Sequence, residues 1–123
     1  MEVTITKTYN EEDIEDIISV MFQSFGPYFM LDNTTDTWKQ VRESLDKEAT
    51  IEEITRVIFA SGWNIKIIDV EDDTDYYMTQ NMFENGVQQA ISEGYWDGDL
   101  DTADALVGYM ILQLALFNEI VYD

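Results

Sequence analysis

Three acidic segments hold the residues best placed to do chemistry. Residues 97–104 read Asp-Gly-Asp-Leu-Asp-Thr-Ala-Asp, with Asp97, Asp99 and Asp101 at alternate positions, as in the first half of a calcium-binding loop. An EF-hand loop also needs Gly at its sixth position and a bidentate Glu at its twelfth. Thr102 and Gly108 stand there instead, so the expected structure is an acidic turn leading to a helix N-capped by Asp101, with Asp104 beyond it. Asp69, Glu71, Asp72, Asp73 and Asp75 crowd a second segment. Two of these carboxylates could act as acid and base, or hold Mg²⁺ for phosphoryl chemistry. No Lys, Arg or His lies among them or after them to orient a phosphate or stabilise developing charge. The third segment carries Glu11, Glu12, Glu15 and Asp16, which form two i,i+4 rows on a helix. Like charges at that spacing cost a few tenths of a kcal/mol per pair, so folding gains nothing from them. Carboxylates about 5–6 Å apart along a helix can, however, imitate the repeating charge of a phosphate backbone.

The chain contains no cysteine and no histidine. Thiol nucleophiles, thiolate zinc sites, the usual general base and the commonest transition-metal ligand are therefore missing together. We expect no enzyme activity and no cofactor. A small-molecule binder dependent on Mg²⁺ or Ca²⁺ is a weaker alternative. Among the aromatics, Tyr95-Trp96 sits between Gly94 and Asp97 in an expected loop and is the pair most suited to anchoring a contact.

After Lys66 the chain has 13 of its 26 acidic residues and none of its six basic ones, and the net charge of the whole is -20. Solubility needs only about 2–8 charges in a small domain. So large an excess attracts basic partners and repels nucleic acid and anionic membrane. With 46% apolar and 13% aromatic residues in 123, the sequence is that of a single compact acidic domain over residues 1–123, not a disordered acidic tail. It shows no signal core and no apolar run long enough to span a bilayer, which leads us to expect a cytoplasmic protein, monomeric or homodimeric.

The patterning also predicts the elements that position these residues. Residues 2–7 alternate as a strand. Asn10 caps a helix whose stripe of Ile14, Ile17, Ile18, Met21, Phe22 and Phe25 ends at Gly26-Pro27. Residues 28–33 read as irregular, and a shorter helix follows with Trp38, Val41 and Leu45. Thr50 and Glu53 have capping-box spacing and open a helix that stops at Gly62. Residues 63–70 read as a buried strand and residues 75–78 as its hairpin partner across the acidic turn. Thr79 caps the next helix, and Leu106, Val107, Met110, Ile111, Leu114 and Phe117 cover most faces of the last. Residues 119–122 could close the sheet. The expected fold class is α+β, with about five helices on one face of a small, mostly antiparallel sheet of three to four strands.

Three stretches, TITKTYNEEDIEDI, DVEDDTDYYMTQNMFENGV and ALFNEIVYD, resemble in order and spacing a loose group of small acidic proteins of unknown function encoded by phages and prophages. The chain departs from that group where SFGPYFMLDN replaces a glycine-rich segment with a Trp-Cys pair. The resemblance implies a phage setting and the cytoplasm of an infected bacterial host. In that setting, compact acidic proteins without active-site residues often inhibit host defence, and some mimic DNA. The expectation is a stoichiometric inhibitor that occupies the basic groove of a host nucleic-acid-binding protein, a CRISPR effector or a restriction enzyme, without binding nucleic acid itself. Its contact residues would be the three acidic segments with Tyr95 and Trp96. The alternative is a general acidic module that binds a basic protein without imitating DNA.

Overall fold

In a computed structural model, residues 8–122 are described, and the strand expected over residues 2–7 lies outside them. The elements run α1 (Glu11–Gln23), β1 (Phe29–Leu31), α2 (Asp36–Ser44), α3 (Ile51–Ala60), β2 (Asn64–Asp69), β3 (Thr74–Thr79), α4 (Gln80–Ser92), a single 3-10 turn (Leu100–Thr102) and α5 (Ala105–Phe117). The fold class is α+β. Among the described residues, five α-helices pack with a three-stranded antiparallel sheet of order β1-β2-β3. Phe29 faces Asp69 across the first strand pair, and Ile65 faces Met78 across the second.

Local chemistry sets most helix starts. Asn10 and Asp13 form a full capping box, the Asp13 amide donating to Asn10 Oδ1 at 2.8 Å and the Asn10 amide to Asp13 Oδ2 at 3.3 Å. Thr50 makes only half of the box expected of it, accepting from the Glu53 amide at 3.1 Å. Thr79 caps α4 in the same way through the Met82 amide. Asp101 does not cap the last helix. Asp104 does, accepting from the Val107 amide at 3.0 Å, while Asp101 lies within the 3-10 turn. The spacing of acids allowed either cap, and Ala103 in extended backbone separates the two elements.

Three further expectations are corrected. Residues 28–33 contain strand β1, whose apolar Phe29 is buried against the sheet despite the lack of a clear alternation. Residues 119–122 form no strand; Asn118 ends α5 in the left-handed conformation and turns the chain into a tail. Trp63 and Val70 flank β2 and are half exposed, so the buried strand is shorter than residues 63–70.

Alternation in the sheet separates an inner face from an outer one. Ile65, Ile67 and Met78 point into the core with Phe29, whereas Met30 and Tyr77 remain exposed. Ile111, Leu112 and Gln113 are consecutive in α5 and all fully buried, so that helix is enclosed on every side. Leu106, by contrast, is exposed. Two glycines let α5 be surrounded so closely. A Cβ on Gly108 would run into the Val20 carbonyl of α1, and one on Gly86 of α4 would lie 2.7 Å from the Ile111 carbonyl.

Candidate protein-binding surface

The start of α1 and residues 97–104 meet in space. Tyr9, one residue before the α1 cap, joins them: its hydroxyl donates to the Gly98 carbonyl at 2.9 Å. Its ring stacks on Trp96 with centroids 6.1 Å apart and planes 9° from parallel. Burial raises the Tyr9 phenol pKa, and the nearby Asp13, Asp97 and Asp99 carboxylates raise it further. Asp13, Asp97 and Asp99 thus belong to one acidic neighbourhood around Tyr9. Sequence reading missed Tyr9. Its one available signal was an aromatic beside an N-cap, where a residue that anchors the incoming chain often stands.

Not every acid of these two segments is uncompensated. Arg56 of α3 reaches Glu15 at 2.7 Å and Glu11 at 3.6 Å. The Glu11–Glu15 row is therefore partly neutralised, whereas no ion pair among the described residues involves Glu12 or Asp16. Asp97 Oδ1 accepts from the Asp99 amide at 2.9 Å and from the Thr102 hydroxyl at 2.7 Å. Asp99 Oδ1 accepts from the Asp101 amide at 2.9 Å. The alternation of acids in 97–104 is a ladder of local turns, and among the described residues no group of three or more acidic side chains is placed to hold a metal ion.

Trp96 is not a surface anchor. It is 4% exposed, and its indole N–H donates to the Asp99 carbonyl at 3.0 Å and the Thr102 hydroxyl at 3.2 Å. The loop folds around it because a buried indole brings apolar area and a donor that must be satisfied. Tyr95 is 44% exposed and keeps its place on the surface.

The hairpin acids divide as well. Glu71, Asp72 and Asp73 lie exposed at the turn, where Asp73 takes a positive φ of 59°. Asp75 lies on the outer sheet face with Lys66, whose ammonium is 3.6 Å from Asp75 and 3.2 Å from Asp32. The Thr34 hydroxyl and amide, followed by Lys66, hold the Asp32 pKa below its ordinary value. Asp69 is 6% exposed and turned inward, so it does not share the hairpin surface.

No helix among the described residues is long and apolar enough to cross a membrane. No protein-family model matches the chain, and neither a curated protein nor a solved structure matches it.

Proposed function

We propose that this chain is a stoichiometric protein inhibitor that occupies the basic, nucleic-acid-binding groove of a host protein in the cytoplasm of an infected bacterium. A CRISPR effector or a restriction enzyme is the class of target. The observation that supports the reading is the junction at Tyr9, which joins the start of α1, with Asp13, to the loop that carries Asp97 and Asp99. Displacing nucleic acid requires ordered negative charge presented to the same Lys and Arg side chains, and order acquired on folding is not charged again on binding. The phage setting rests on the resemblance of three sequence segments.

A specific observation favours the plainer reading of an acidic module without DNA mimicry. Glu11, Glu15, Asp32 and Asp75 already hold cations of this chain, and Asp97 and Asp99 accept backbone amides. Competition separates the two. Partners captured from bacterial lysate at low salt, and released at high salt, should be challenged with duplex DNA. Mutual exclusion is expected, together with a fall in affinity as salt rises. A ternary complex of target, DNA and this chain at stoichiometric concentrations overturns mimicry and leaves the acidic module. The variant to use is Glu12→Lys with Asp16→Lys and Asp101→Lys, since these side chains are exposed. It should abolish capture without lowering the melting temperature. Reversing Glu11 or Glu15 would instead break the contacts with Arg56.

A further inference from the structure

Asp69 is a buried carboxylate with no ion-pair partner among the described residues. Its Oδ1 accepts the Glu71 amide at 3.0 Å. Removing a carboxylate from water without a countercharge is costly, so its retention there calls for a reason. Asp69 lines an open cleft of about 380 Å³ together with Glu71, Tyr28, Tyr109 and Tyr122. The walls come from four distant parts of the chain: the residue before β1, the end of β2, α5 and the tail. Burial, followed by the proximity of Tyr122, Tyr28 and Asp69, raises the Tyr109 pKa.

The cleft is built before anything binds it. Fully buried Gln113 clamps the tail: the Val121 and Tyr122 amides donate to its Oε1 at 2.9 and 2.6 Å, and its Nε2 donates to the Tyr122 carbonyl at 3.1 Å. The Tyr122 ring also packs edge-on against Phe117 at 6.3 Å, and Phe117 packs against Tyr76 at 5.4 Å. Tyrosine rings and a carboxylate around one space suit a particular ligand chemistry. Aromatic faces attract a cation that is weakly hydrated, and a carboxylate strengthens its hydrogen bonds. An anion is repelled, and a small metal ion lacks enough carboxylates here. The volume lies at the small end of ligand sites, which suits one side-chain terminus.

We propose that this cleft is a binding site for an organic cation, the guanidinium or alkylammonium group of a basic side chain or a free amine. It deepens the proposed function, because a basic partner would place one such side chain here, and it rests on that reading only for the source of the cation.

The test is an NMR titration of the full chain, with labelled tyrosine rings, at physiological salt. The probes are the acetylated methylamides of arginine, lysine and neutral norleucine, with spermidine as the free amine. The arginine or lysine amide should give saturable shifts at Tyr28, Tyr109 and Tyr122, and norleucine none. Asp69→Asn should weaken binding at least tenfold. If that variant does not fold, Tyr28→Leu and Tyr122→Leu, at 58% and 42% exposed positions, should each weaken it severalfold. Tighter saturable binding of spermidine at the same rings would support the site and assign it to free amines. Tighter binding of the amides assigns it to a protein side chain. Shifts that rise linearly and spread over α1 and residues 97–104, or that no cleft variant reduces, overturn the site. The Glu12→Lys, Asp16→Lys, Asp101→Lys variant separates this inference from the mimicry reading. Its cleft titration should match that of the natural chain even where partner capture is lost, and an equal loss of both would reduce the binding to bulk charge.

Discussion

Gln113 interrupts the most apolar helix of the chain, yet it is as buried as its neighbours Ile111 and Leu112. A buried amide costs free energy unless it is hydrogen-bonded, and here its Oε1 and Nε2 make three bonds to the backbone of residues 121–122. Gln113→Leu keeps the volume and leaves two amides and a carbonyl of the tail without partners. We expect a loss of about 1–3 kcal/mol, limited by release of the tail into water. Amide hydrogen exchange at Val121 and Tyr122 should accelerate far more than exchange in α5. Unchanged protection there would show that the tail is held by something other than this clamp. Trp96 follows the same rule in an acidic loop, where the donor of a buried ring organises the polar backbone around it.

Element packing depends on how closely helices approach. Gly108 of α5 lies against the Val20 carbonyl of α1, so that contact sets the position of α1 and of the acids at its start. Gly108→Ala brings opposing effects. Alanine is favoured over glycine inside a helix by about 0.8–1.0 kcal/mol. Overpacking against a backbone that cannot swing aside costs about 1–3 kcal/mol. Overpacking wins, so the variant should be less stable in urea melts, with an unchanged denaturant slope. A neutral or stabilising result would place the two helices further apart than the contact implies. The caps act at the same scale: Asn10, Thr35, Thr50, Thr79 and Asp104 each satisfy an amide at the start of a helix.

For the whole molecule, a net charge of -20 means that folding concentrates like charge. Salt screens that repulsion, since the Debye length falls from about 30 Å at 0.01 M to about 3 Å at 1 M. The melting temperature should therefore rise with NaCl. Tyr9, Tyr76 and Tyr109 add an alkaline limit, because burial leads the causes that raise each phenol above 10.0. Above the unfolded value the unfolded chain loses these protons first, so stability is intact below pH 10 and falls as pH rises through the folded values. Thermal melts across salt and from pH 8 to 11 check both slopes. A melting temperature indifferent to NaCl would mean that the charges are too dispersed to repel.

The sequence by itself determined the elements whose signals are local. The stripe of Ile14, Ile17, Ile18 and Met21, the caps at Asn10, Thr50 and Thr79, and the hairpin around residues 71–74 depend on neighbours a few positions away. The charge excess and the missing His and Cys are equally plain in one dimension. Tertiary structure decided which acids are free. Arg56 lies about 40 residues from Glu15, and Tyr9 bonds to Gly98 across 89, so no spacing rule could pair them. It also buried Trp96, extended residues 29–31 into a strand and gathered Tyr28, Asp69, Tyr109 and Tyr122 around one cleft. Those outcomes arise from long-range packing, in which a side chain's neighbours are set by the topology of the chain and not by its place along it.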